Sequence, residues 1–223
     1  MSNKTNLFKL ALGTLAVVGA TINLTSCMDK KNDNPFFSEY TTPHQTAPFD
    51  KIKMEHYEPA FLEGIKQHQA EVDAIINNPE APTFENTIAA LDQCGATLRK
   101  VRGTFSPLSS SNSTDEIRAL QKEMSPLSSA HSDDINLNPA LFARVKAVYE
   151  QKDNLSLTAE QAKVLQNTYD RFVKSGAELS DADKEKLRAL NQEISMLQLT
   201  FSQNLQHETN NTYVVANSLE ELK

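Results

Sequence analysis

The chain has 223 residues, of which 39% are hydrophobic and 23% charged, and a net charge of −7 at pH 7. That balance supports a folded body and excludes a nucleic-acid binder, because no basic surplus is available to pair with phosphates. Glycine is scarce, tryptophan is absent, and Leu, Ala, Glu, Gln and Lys recur, which favours helix over sheet.

Residues 1–26 have the pattern of an export leader. Lys4 and Lys9 form a basic start, and "LALGTLAVVGATINL" at 10–24 is an apolar run too short to span a bilayer comfortably as a helix. "LTSC" at 24–27 resembles a bacterial lipobox. The resemblance implies cleavage before Cys27 and lipidation of Cys27, with several acyl chains giving a stable membrane anchor. The alternative is an ordinary signal peptide followed by an unmodified cysteine. Loss of the leader lowers the basic residues from 22 to 20 against 29 acidic ones, for a net charge of −9. Residues 27–48 are polar, proline-containing and aperiodic, and are expected to be a flexible tether. Cys94 is the other cysteine of the chain, so neither a disulfide nor a cysteine-type zinc site is expected. It falls on an apolar helical stripe, as a buried thiol would.

The body, residues 49–223, is read as helical almost throughout, with a period of 3.6. "EHYEPAFLEGIKQHQAEVDAIINN" places Phe61, Leu62, Ile65, Val72, Ile75 and Ile76 on one face, and Asn77, Asn78 and Pro79 stop it. "PTFENTIAALDQCGATLRKVRGTF" is expected as a second helix capped by Thr83, followed by a loop at "SPLSSSNS". A third opens at Thr114, with Asp115 and Glu116 at its positive end; Pro126 should kink or end it. Asn138 and Pro139 open a fourth. The capping box of Thr158 and Gln161 opens a fifth, which stops at Gly176. Ser180 opens a sixth of about 28 residues, roughly 42 Å long. Leu187, Leu190, Ile194, Leu197 and Phe201 form a heptad stripe along it, with Leu205 one place off the next position. Six helices with short connections predict an all-α fold, an antiparallel multi-helix bundle.

No catalytic or metal residue emerges from this pattern. His207-Glu208 begins like the zinc motif H-E-x-x-H, but four residues on stands Asn211, a poor zinc ligand. His44, His56, His68 and His131 are scattered, and no two have i, i+4 spacing. Each reads as a helix-surface or satisfied core histidine. The carboxylate pairs Asp133-Asp134, Glu220-Glu221 and Asp181/Asp183 read as caps or solvated faces. No serine-nucleophile elbow is found.

Three stretches carry a resemblance. "PFDKIKMEHYEPAF" (48–61), "NNPEAPTFENTIAAL" (77–91) and "HSDDINLNPALFARVKAVYE" (131–150) are similar to the N-terminal part of the zinc metallopeptidase group of peptidyl-dipeptidase Dcp, oligopeptidase A and thimet oligopeptidase. The resemblance runs in order from Pro48 to Tyr213. It implies a helical N-terminal part that walls one side of a deep channel for short peptides. It also implies zinc in the full-length enzyme, with its ligands in a later part; this portion would bind none. The chain looks like a leading portion, residues 49–223 being a helical domain cut before the catalytic one. With Cys27 lipidated, the enzyme would be tethered in the bacterial cell envelope. Two other readings stand beside it: a non-catalytic helical envelope lipoprotein that binds peptides or a partner, and a relic without function.

Overall fold

The computed structural model describes residues 33–213 and 215–222. The expected leader, residues 1–26, and the expected lipidation site Cys27 lie outside the described residues. Among the described residues there is no strand, and the fold is an all-α bundle.

The first turns come earlier than expected. Phe36 is buried between Tyr57 and, through that ring, Phe105. Asn34 donates through Nδ2 to the His56 carbonyl at 2.8 Å and accepts from the Phe36 amide at 3.1 Å. Lys100 reaches back to the Ser38 carbonyl at 2.9 Å. The stretch 27–48, expected as a free tether, is therefore anchored to the body from Asn34: one buried aromatic and one satisfied buried amide hold it.

Helix α1 (Tyr57–Ile76) runs through both hydrophobic cores. Its first turns give Tyr57, Ala60 and Phe61 to one core, with Leu98, Val101, Phe105, Ile117, Leu120 and Met124. Its last turns give Val72 and Ile75 to the other, with Phe84, Ile88, Leu141, Phe142, Val145, Val148, Leu165 and Phe172. Leu62, expected on the buried face, is 45% exposed. Gly64 lets α1 approach α3 closely: a Cβ there would stand 3.0 Å from backbone atoms of Leu98.

The expected second helix is divided. A π-helical turn, Phe84–Ala89, opens with a reciprocal box between Thr83 and Asn86 and leads into α2 (Ala90–Gln93). The chain then breaks at Cys94 and Gly95, and α3 (Ala96–Ser111) begins. Gly95 has φ +78°, a left-handed conformation that other residues resist. The expected loop after Phe105 is helical to Ser111, with Pro107 inside.

Helix α4 (Asp115–Asn136) also continues past its proline, Pro126, which was expected to kink or end it. The neighbouring Ser125 hydroxyl meets that of Ser195 at 2.8 Å, so this turn is in contact with a later part of the chain. Helix α5 (Pro139–Glu150) is capped by Asn138, which accepts from the amides of Ala140 and Leu141. Helix α6 (Ala159–Lys174) carries the capping box of Thr158 and Gln161. Phe142 stacks near Phe172, and Tyr149 lies 3.8 Å from Tyr169, centroid to centroid.

Helix α7 (Asp181–Asn211) lies along α4, polar side inward. Asn191 donates to Asp133 at 2.8 Å, Arg188 to Asp134 at 2.7 Å, and Gln203 to the Arg118 carbonyl at 3.3 Å. Leu190, Ile194, Leu197, Phe201 and Leu205 face outward, each about half exposed or more. Asp133, expected on a solvated face, is buried at this contact; burial raises its carboxyl above the usual range, against the hydrogen bond from Asn191.

Candidate functional site: a histidine and arginine cavity

The break between α2 and α3 opens a cavity of about 400 Å³. Five elements meet there. Helix α1 brings His68, α2 brings Asp92, α3 brings Arg99 and Arg102, α4 brings His131, and α6 brings Arg171. Cys94 and Gly95 form part of its wall.

Local sequence explains how the break is held. Glu71, on α1, accepts from the Gly95 amide at 2.6 Å. Arg99 donates to the Cys94 carbonyl and, at 3.0 Å, to that of Gln93, satisfying carbonyls left open where α2 stops. Cys94 is buried and its thiol donates to the Ala90 carbonyl at 3.1 Å. Burial, then the Glu71 carboxylate, push that thiol up, away from the reactive thiolate.

His68 Nδ1 lies 3.0 Å from His131 Nε2, with the rings edge to face. One neutral ring must donate to the other, so the pair holds a single shared proton between the two nitrogens. Burial pushes His68 down to about 4, reinforced by repulsion from His131 and by Arg102 and Arg99, with Glu71 opposing. Burial and Arg102 lower His131 as well, against Asp134. This pair joins residues 63 positions apart, and the linear spacing that made the histidines look scattered carried no signal for it. The only local hint was Gly95, a glycine inside an apolar helical stripe.

The other histidines do not assemble. His207 is exposed near the end of α7, where its Nε2 pairs with Asn211 at 3.0 Å, and His56 turns its Nδ1 to the Lys53 amide. Among the described residues, no three His, Cys, Asp or Glu side chains converge as a metal site would require.

Three relatives place this fold. The chain is 42% identical over 172 residues to the dipeptidyl carboxypeptidase of Salmonella typhimurium, a match covering 77% of the chain and 25% of that protein. It is 39% identical over 189 residues to the dipeptidyl carboxypeptidase of Escherichia coli, covering 85% of the chain and 28% of that protein. Oligopeptidase A of Haemophilus influenzae is 25% identical over 158 residues, 71% of the chain and 23% of that protein. The chain spans about a quarter of the length of the relatives it matches. No family model matches it. By the extent of these matches, and by the words at 48–61, 77–91 and 131–150 that first suggested it, the chain belongs with the dipeptidyl carboxypeptidase and oligopeptidase A family, as an N-terminal portion of such a peptidase.

Proposed function

We propose that this chain is the N-terminal helical part of a zinc metallopeptidase that hydrolyses short peptides, and that it forms one wall of the substrate channel. The 42% identity over 172 residues to a dipeptidyl carboxypeptidase carries the reading. The outward stripe on α7 agrees with it: Leu190, Ile194, Leu197, Phe201 and Leu205 make an apolar face of the kind that the remainder of a larger enzyme covers.

In this reading the chain's role is structural. Its described residues offer no converging donor set for zinc, so no ligand and no proton transfer is assigned to them. The metal, when bound in the whole enzyme, would supply an activated water for peptide hydrolysis. The helices here would exclude folded proteins from the channel and admit extended peptides. Cys27, lipidated, would hold the enzyme in the bacterial cell envelope, on the exported side of a membrane.

The test is to read the gene past the Lys223 codon and assay the full product. A frame continuing into H-E-x-x-H, with a product that cleaves a short unstructured peptide and loses that activity to a chelator, is the expected result. A stop codon in an intact locus would overturn the peptidase reading for this product. It would leave the non-catalytic envelope lipoprotein, which binds peptides or a partner, as the reading to test.

A further inference from the structure

We propose that the cavity at the α2–α3 break binds a small oxyanion, a phosphate- or carboxylate-bearing molecule, through the guanidinium groups of Arg102 and Arg171. The inference does not depend on the peptidase reading, since it rests on the cavity alone.

The argument is one of charge left without a partner. In a chain of net charge −7, three arginines line one cavity. Arg99 is occupied by two carbonyls. Arg102 and Arg171 differ: neither donates a hydrogen bond to a protein group or has a carboxylate oxygen within 4 Å among the described residues. Each rests against an aromatic ring instead, Arg102 at 6.0 Å from the Phe61 centroid and Arg171 at 5.6 Å from that of Phe172. Both side chains are exposed to solvent, and these ring contacts leave their N–H groups open to an oxyanion.

The nearby carboxylates do not fill that role. Glu71 is engaged by the Gly95 amide, and Asp134 by Arg188. Asp92 lines the cavity and acts on Arg171 through space, without a salt bridge. The neutral His68–His131 pair lines the same cavity with one N–H left beyond the shared one, and an anion there would work against the burial and the Arg102 charge that keep the pair from taking a further proton. At about 400 Å³ the space exceeds a bare phosphate and suits a small polyanionic molecule.

The test titrates the 223-residue chain by calorimetry with inorganic phosphate and, separately, with citrate, at constant ionic strength. Saturable one-to-one binding of either is expected, and the stronger of the two distinguishes a phosphate from a carboxylate ligand. Arg102→Gln and Arg171→Gln should each weaken it at least tenfold, while Lys186→Gln, on the exposed start of α7, should not. In the wild type the same titration should shift the imidazole ¹⁵N resonances of His68 and His131. No saturable binding of either anion overturns the proposal. So does binding that both arginine variants retain, or that leaves the two imidazoles unshifted.

Discussion

His131 Nε2 stands 3.0 Å from His68 Nδ1, and this contact ties the C-terminal turns of α4 to the middle of α1. Both imidazoles are held below the ordinary histidine value, His68 at about 4. In the unfolded chain they take protons near pH 6.5, so between pH 6.5 and about 4 the unfolded state binds more protons. The pair's contribution is fully present above pH 6.5 and is lost as pH falls through the folded values. Urea unfolding from pH 7 to pH 4 should show this loss, and His68→Gln should flatten the slope. Asp133 acts in the opposite sense, its raised carboxyl favouring the folded state at low pH. Equal slopes in wild type and His68→Gln would refute the assignment.

Gly95 should tolerate no side chain. Its φ of +78° costs alanine about 1–2 kcal/mol. An added Cβ would also stand 3.1 Å from the His68 ring. Gly95→Ala should lower the free energy of unfolding, measured in urea, by that amount and move the His68 ring resonances. Retention of both would mean that the break is not built on this residue.

Phe36 tests where the packed body begins. It is 1% exposed against Tyr57. Phe36→Ala should destabilise the chain by about 3–5 kcal/mol, the range for deleting a buried aromatic ring. A change below about 1 kcal/mol in the free energy of unfolding would restore the flexible tether to this stretch.

The outer face of α7 should behave as an interface and not as core. Leu197 and Phe201 are 61% and 68% exposed. Leu197→Glu with Phe201→Glu should leave the stability of the isolated chain within about 0.5 kcal/mol, as surface changes do. The same double variant should reduce self-association in sedimentation velocity. A large loss of stability would show that these side chains are buried within the chain itself.

Much of the fold was legible because local chemistry decided it. The caps at Thr83, Thr114, Asn138, Thr158 and Ser180 are where hydroxyl and amide side chains can accept from open helix amides, and each does so. The apolar stripes of the earlier helices found most of the two cores, whereas the stripe of α7 faces outward. The stretch around Pro107, and Pro126 itself, were misleading, because α3 and α4 run on past both prolines. The break at Gly95 was hidden inside a continuous stripe: period shows which residues share a face but not whether the backbone turns between them. The cavity was illegible for a related reason. His68, Arg102, His131 and Arg171 come from four helices, and no spacing along the chain brings them together.

The inward polar side of α7 has a consequence for how the bundle breathes. Asn191, Arg188, Ser195 and Gln203 attach it to α4 by hydrogen bonds that water can replace, while five of its large apolar side chains stay outside. Its amides should therefore exchange with solvent through local opening, well before those of α1, which both cores clasp. A surface that covers Leu190, Ile194, Leu197, Phe201 and Leu205 adds apolar burial at about 25 cal/mol per Å² to the one helix that has little of it. Association and closure would thus be a single event, in which whatever covers α7 also latches α7 to its own bundle.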